Sequence, residues 1–167
     1  MNSDLDKFIS QLVDGGAVTA KVIDPHHVLT AAWPVMKCRY GCTQYGHNRC
    51  CPPFAPAHTE TRAILDSFSR AIIFSTRSIE EGTPLAVEAV RALVREGYYK
   101  ALAFGTGPCR LCDECHPAAC PRPWDTAPSM EACGVDVFGT VRAAGLPLNP
   151  CPAEGEPLNC YGLVLAD

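Results

Sequence analysis

The chain has no run of Lys or Arg and no long apolar stretch, and these two absences set its first limits. Fourteen basic side chains against eighteen acidic ones leave a formal charge of −4. A phosphate-binding surface therefore lacks its electrostatic footprint, and nucleic acid is not an expected partner. No apolar run approaches the roughly eighteen residues that a membrane span requires. The N-terminus, MNSDLDKFISQL, carries acids where a secretory leader carries bases. The expectation is a cytoplasmic protein with no membrane partner. Familiar catalytic fingerprints are missing too. The GTG before Pro108 lacks the G-x-G-x-x-G continuation, there is no G-x-S-x-G elbow, and the five histidines form no H-E-x-x-H. No internal repeat, low-complexity tract or linker divides the 167 residues, so one compact domain over 1–167 is expected.

What the chain does have is cysteine: eleven, an odd number that suits a disulfide framework poorly. In a reducing compartment a cysteine-dense chain points to metal binding or redox chemistry. Eight of the eleven fall in two patches. The denser one, GPCRLCDECHPAACP, holds Cys109, Cys112, Cys115 and Cys120. Repeated C-x2-C spacing brings three thiolates from one loop around one object, and a cuboidal iron–sulfur cluster accepts three such thiolates and a fourth from farther away. Cys120, followed by Pro121, is the nearest fourth thiol; it either closes this loop's site or serves the other patch. A structural zinc ion is the alternative, though all-cysteine zinc sites use two separated knuckles. The charged residues Arg110, Asp113, Glu114 and His116 between the thiols leave no apolar periodicity to bury.

The other patch, CRYGCTQYGHNRCCPPF, supplies Cys38, Cys42, Cys50 and Cys51. Adjacent side chains diverge, so Cys50 and Cys51 are not expected to ligate one site together, and three of the four form a natural set. A [4Fe-4S] cluster held by three cysteines keeps one iron with an exchangeable position, open to a small molecule. The plainer alternatives are a zinc site completed by His47 or Cys50, or spare thiols. Cys133, Cys151 and Cys160 stand alone and read as small buried residues, with Cys133 close enough in sequence to supply a missing bond. Glu131 reads as a solvated acid in a helical turn rather than a proton carrier.

The patterning alternates helices and strands, which argues α/β or α+β. Ser3 is placed as the cap of a helix burying Leu5, Phe8, Ile9, Leu12 and Val13, stopped by Gly15-Gly16. A strand follows over 17–23, and the first cysteine patch, rich in Gly, Asn and Pro, is expected to be loop. Next come a short helix from Thr59, a buried strand AIIFST (71–76), and a helix capped by Thr83 with Pro84 in its first turn and Gly97 as its stop. A strand over 98–107 completes a βαβ unit and delivers the chain into the metal loop. Ser129 and Asp136 are expected caps for a helical turn and a helix ending at Gly145, and 158–167 a terminal strand.

The segments CRYGC, YG-x-N before CCPPF-x-P, GPCRLCDEC, CPRP and PSMEACGVDVF resemble a family of small cysteine-rich proteins described as predicted metal-binding proteins. The similarity runs from about Cys38 to the C-terminus. It implies a cytoplasmic metalloprotein of low-oxygen metabolism, since members occur mainly in anaerobic bacteria and archaea. The family's pattern maps onto Cys38, Cys42 and Cys51, and onto Cys109, Cys112, Cys115 and Cys120; Cys50 falls where a non-ligand residue is expected. The combined expectation is an iron–sulfur protein exchanging electrons with a redox partner protein. The alternatives are a zinc-stabilised binding module, or an iron–sulfur enzyme acting on a small sulfur- or oxygen-containing ligand.

Overall fold

The computed structural model describes residues 4–167, so the expected Ser3 cap lies outside the described residues. The chain runs α1 (Asp6–Asp14), β1 (Thr19–Ile23), α2 (Trp33–Gly41), α3 (His58–Asp66), β2 (Ala71–Thr76), α4 (Ile79–Arg95), β3 (Ala101–Phe104), α5 (Val137–Ala143) and β4 (Cys160–Ala166). The strands form one antiparallel sheet in the order β1-β2-β4-β3. The fold is α+β. Because β2 and β3 each pair antiparallel with β4, they run parallel to one another with β4 between them. The expected βαβ unit is therefore present in split form, β2-α4-β3 with the terminal strand inserted.

Alternation along the central strands distributes two cores. Ile72 and Phe74 of β2 and Val164 of β4 face one side, where Leu5 at the N-cap of α1, Phe8 and Leu12 of α1 and Ala86, Ala89 and Leu93 of α4 cover them. Ile73, Leu163 and Leu165 face the other side, against Leu65, Met130, Val135 and Val141. Burying each such large side chain contributes about 1.5–3 kcal/mol, so β2 and β4, buried along almost their whole length, are the stable centre.

Helix α4 starts one turn earlier than the sequence suggests, at Ile79, with Pro84 inside the helix. Thr83 is not its cap. Instead the Thr83 hydroxyl accepts from the Thr106 backbone N–H at 3.1 Å, and the Thr106 hydroxyl donates to the Ile79 carbonyl at 2.7 Å. This close approach needs two glycines: a Cβ on Gly82 would lie 2.3 Å from Thr106 Oγ1, and one on Gly105 2.1 Å from Thr83 Oγ1. The GTG turn is thus pinned to α4, and the cysteine loop leaves a fixed point on the scaffold. Asp136 caps α5 as expected, accepting from the Gly139 N–H at 2.9 Å, whereas Met130 holds the cap position of the preceding turn and Ser129, one residue earlier, accepts from the Ala132 N–H at 3.2 Å.

Candidate metal centre

The first patch begins on a helix rather than in a loop. Cys38 lies in α2 and Cys42 is its C-cap, whose N–H bonds the Cys38 carbonyl. One helical turn between them sets both thiols on one side. The chain then turns back, with Gly46 at φ +76°, to the buried Asn48. Asn48 Oδ1 accepts from the Cys50 N–H at 3.0 Å, an Asx turn that fixes the Cys50-Cys51 step. Its Nδ2 donates to the carbonyl of Cys109 at 2.8 Å, so one side chain binds both patches. Arg49 adds a second tie, its guanidinium donating to the Pro117 carbonyl at 2.8 Å.

The two patches therefore meet, although some seventy residues separate them in the chain. Cys109, Cys112, Cys115 and Cys120 line a single small cavity, together with His116 and Thr126. Cys50 lines it too. Its thiol is 2.9 Å from the Thr126 hydroxyl. Cys51 is not among the residues lining this cavity, and the thiols that act on it most strongly are Cys42, then Cys50 and Cys38, with Cys115 weaker. Of the adjacent pair, only Cys50 lines the cavity.

Burial resists ionisation of the Cys38, Cys50 and Cys51 thiols. Burial, then Cys42 and Cys50, pushes the Cys51 thiol up to about 12. Burial likewise pushes Cys50 up to about 11, opposed by its bond with Thr126. Cys38 is raised by burial, then by Cys42 and Glu131. A bound cation reverses this penalty, because clustered thiolates repel one another only while uncompensated. Each patch also offers an N–H to sulfur: Arg49 to Cys115 Sγ at 3.4 Å and Gln44 to Cys42 Sγ at 3.5 Å. Such donors stabilise thiolate ligands of a metal.

All eleven cysteines are free. Among the described residues, no three His, Cys, Asp or Glu side chains gather tightly enough to enclose a single ion. The thiols are instead spread around a cavity. This all-sulfur donor set fits a soft-metal centre, either iron–sulfur or zinc.

A second cleft, of about 180 Å³, opens beside Cys38 and is lined by Trp33, Lys37, Glu131 and Phe138. Glu131 is exposed in the short helical turn Glu131–Cys133, as its sequence context suggests. Desolvation raises its pKa, opposed by bonds from its own backbone N–H and then from Ser129. Cys133 is fully buried, its thiol pushed up to about 12 chiefly by burial. Cys160 is half-buried, whereas Cys151 is exposed, against the expectation of a buried residue; His47 is exposed as well. The positioning residues Asn48, Arg49 and Thr126 escape a reading based on ligand types, although Asn two residues before Cys50 is an Asx-turn signal.

A split βαβ scaffold that brings two thiol groups together at the end of its β3 loop defines a cysteine-rich metal-binding α+β protein. The chain belongs to the DUF2284 family, described as predicted metal-binding protein, whose model matches residues 21–166 and so contains both patches. Neither the curated proteins nor the solved structures give a match. No helix among the described residues is long and apolar enough to cross a membrane.

Proposed function

We propose that this protein holds iron–sulfur clusters and carries electrons to or from a redox partner protein. The observation that carries the reading is the ring of thiols about one cavity, fed by repeated C-x2-C spacing and adjoining a second thiol group. Cys109, Cys112 and Cys115 would hold one [4Fe-4S] cluster with a fourth thiol of the same cavity, Cys120 being the nearest in sequence. Cys38, Cys42 and Cys51 would hold the second. When bound, such a group supplies reversible one-electron transfer at a potential set by burial and by N–H bonds to sulfur.

The chain's own contributions are spacing and charge control. Asn48 sets the separation of the two patches, and the Arg49 and Gln44 N–H groups offset negative charge on Cys115 and Cys42. The cleft beside Cys38 favours a second reading, in which the three-cysteine site is an enzyme centre. There Lys37 and Glu131 would orient a small sulfur- or oxygen-containing molecule against the open position.

The test is anaerobic purification followed by iron, sulfide and zinc analysis. Iron and sulfide in equal amounts, with visible absorption that bleaches on reduction, is the expected result. A colourless, folded protein with stoichiometric zinc assigns the site to the zinc-stabilised module instead.

A further inference from the structure

We propose that Cys50, and not Cys120, is the fourth thiolate of the Cys109, Cys112 and Cys115 site, so that the Cys50-Cys51 dipeptide joins the two metal sites through one peptide unit. This rests on the iron–sulfur reading above. Five thiols line the cavity, whereas a cuboidal cluster takes four. The three at C-x2-C pitch are common to either choice, which leaves Cys50 against Cys120.

Cys50 is the better prepared. It is 3% exposed, its sulfur neighbours include Cys109 and Cys115, and its backbone is fixed by Asn48 Oδ1. The same Asn48 holds the Cys109 carbonyl, so the separation of Cys50 from Cys109 is set by one buried side chain. The Thr126 hydroxyl contacts the Cys50 sulfur and fixes its direction. Cys120 instead follows the short 3-10 turn Pro117–Ala119 on a half-exposed stretch. A ligand already ordered by its surroundings binds with less loss of conformational freedom than one on an exposed loop. Because Cys50 lines the cavity while Cys51 does not, and Cys42 is the thiol that acts on Cys51 most strongly, the vicinal pair would give one thiol to each site. The two sites would then share a direct covalent path, and Asn48 would be the residue positioning it.

The test compares full-length wild type, C50S and C120S, each reconstituted anaerobically with iron and sulfide. The readouts are metal content, far-UV circular dichroism and electron paramagnetic resonance of the protein both as oxidised and as reduced. C120S is expected to keep the wild-type iron and spectrum, and C50S to lose about half the iron, or to show a three-iron signal, with the fold intact. Iron retained by C50S, or lost by C120S, overturns the assignment. If C50S does not fold, C120S decides alone, supported by alkylation of the loaded wild type in which Cys120 reacts and Cys50 does not. A folded wild type that takes up no iron and sulfide refutes the iron–sulfur reading itself, a result distinct from failure of the ligand choice.

Discussion

The side-chain amide of Asn48 donates to the backbone carbonyl of Cys109 at 2.8 Å, joining positions sixty-one residues apart in the chain. The same amide group's oxygen holds the Cys50 N–H, and the residue is only 2% exposed. Asn48→Ala leaves both backbone partners without their bond, a loss of about 1–3 kcal/mol. Urea unfolding of the metal-free protein should show a lowered midpoint, and metal titration a weaker affinity. An unchanged midpoint and affinity would remove Asn48 from its clamping role.

The α4–GTG contact predicts a packing penalty. Gly82→Ala forces a methyl group into Thr106, and overpacking of this kind costs about 1–3 kcal/mol. Thr106→Ala removes a buried hydroxyl bonded to Ile79 and costs about 1 kcal/mol. The double variant should be more stable than the sum of the two losses implies, since trimming Thr106 makes room for the methyl. Strict additivity in thermal unfolding would show that the two residues do not touch.

Acid sensitivity has a defined origin at the N-terminal edge. The Arg70 guanidinium, followed by the Tyr98 hydroxyl, holds the Asp4 carboxyl below its ordinary value of 3.8. Arg91, followed by Arg122, does the same for Asp125. A depressed folded-state pKa contributes stability in full above the ordinary value, and the contribution fades as the pH falls through the folded one. Asp4→Asn should therefore be less stable than wild type at neutral pH, with the gap closing in acid below the carboxylate range. Parallel stability curves for the two proteins would contradict this.

Separate thiol groups predict separable losses. Cys112→Ser should empty the site of the 109–115 loop while the Cys38, Cys42 and Cys51 group keeps its metal, and Cys38→Ser should do the reverse. Metal analysis should give partial loss in each case. A single substitution that strips all metal would mean the thiols form one shared centre.

Legibility from sequence followed the physics that each element uses. The run AIIFST is recovered as β2 residue for residue because a short stretch led by apolar and β-branched residues and flanked by Arg70 and Arg77 suits a strand buried on both faces. Asp136 and Gly145 mark α5 because caps are local chemistry. Helix α2 is hidden because WPVMKCRYG buries only Pro34, so no apolar periodicity betrays it; Pro34 near its start is the one local signal. The true start of α4 is obscured because Thr83 resembles a cap while being engaged with Thr106, a contact made only in the folded chain. Likewise the C-x2-C pitch singles out Cys109, Cys112 and Cys115, but the meeting of the patches rests on long-range bonds from Asn48 and Arg49 to the Cys109 and Pro117 carbonyls, which no local pattern encodes.

The central claim is that these thiols hold iron–sulfur cores, and Mössbauer spectroscopy of wild-type protein reconstituted anaerobically with isotopically enriched iron tests it most directly. The account predicts sulfur-coordinated, electron-delocalised iron, about eight atoms per chain for two cubanes, that changes valence on reduction. Iron bound only as isolated oxygen- or nitrogen-ligated ions, or folded protein carrying zinc and no iron, would contradict it.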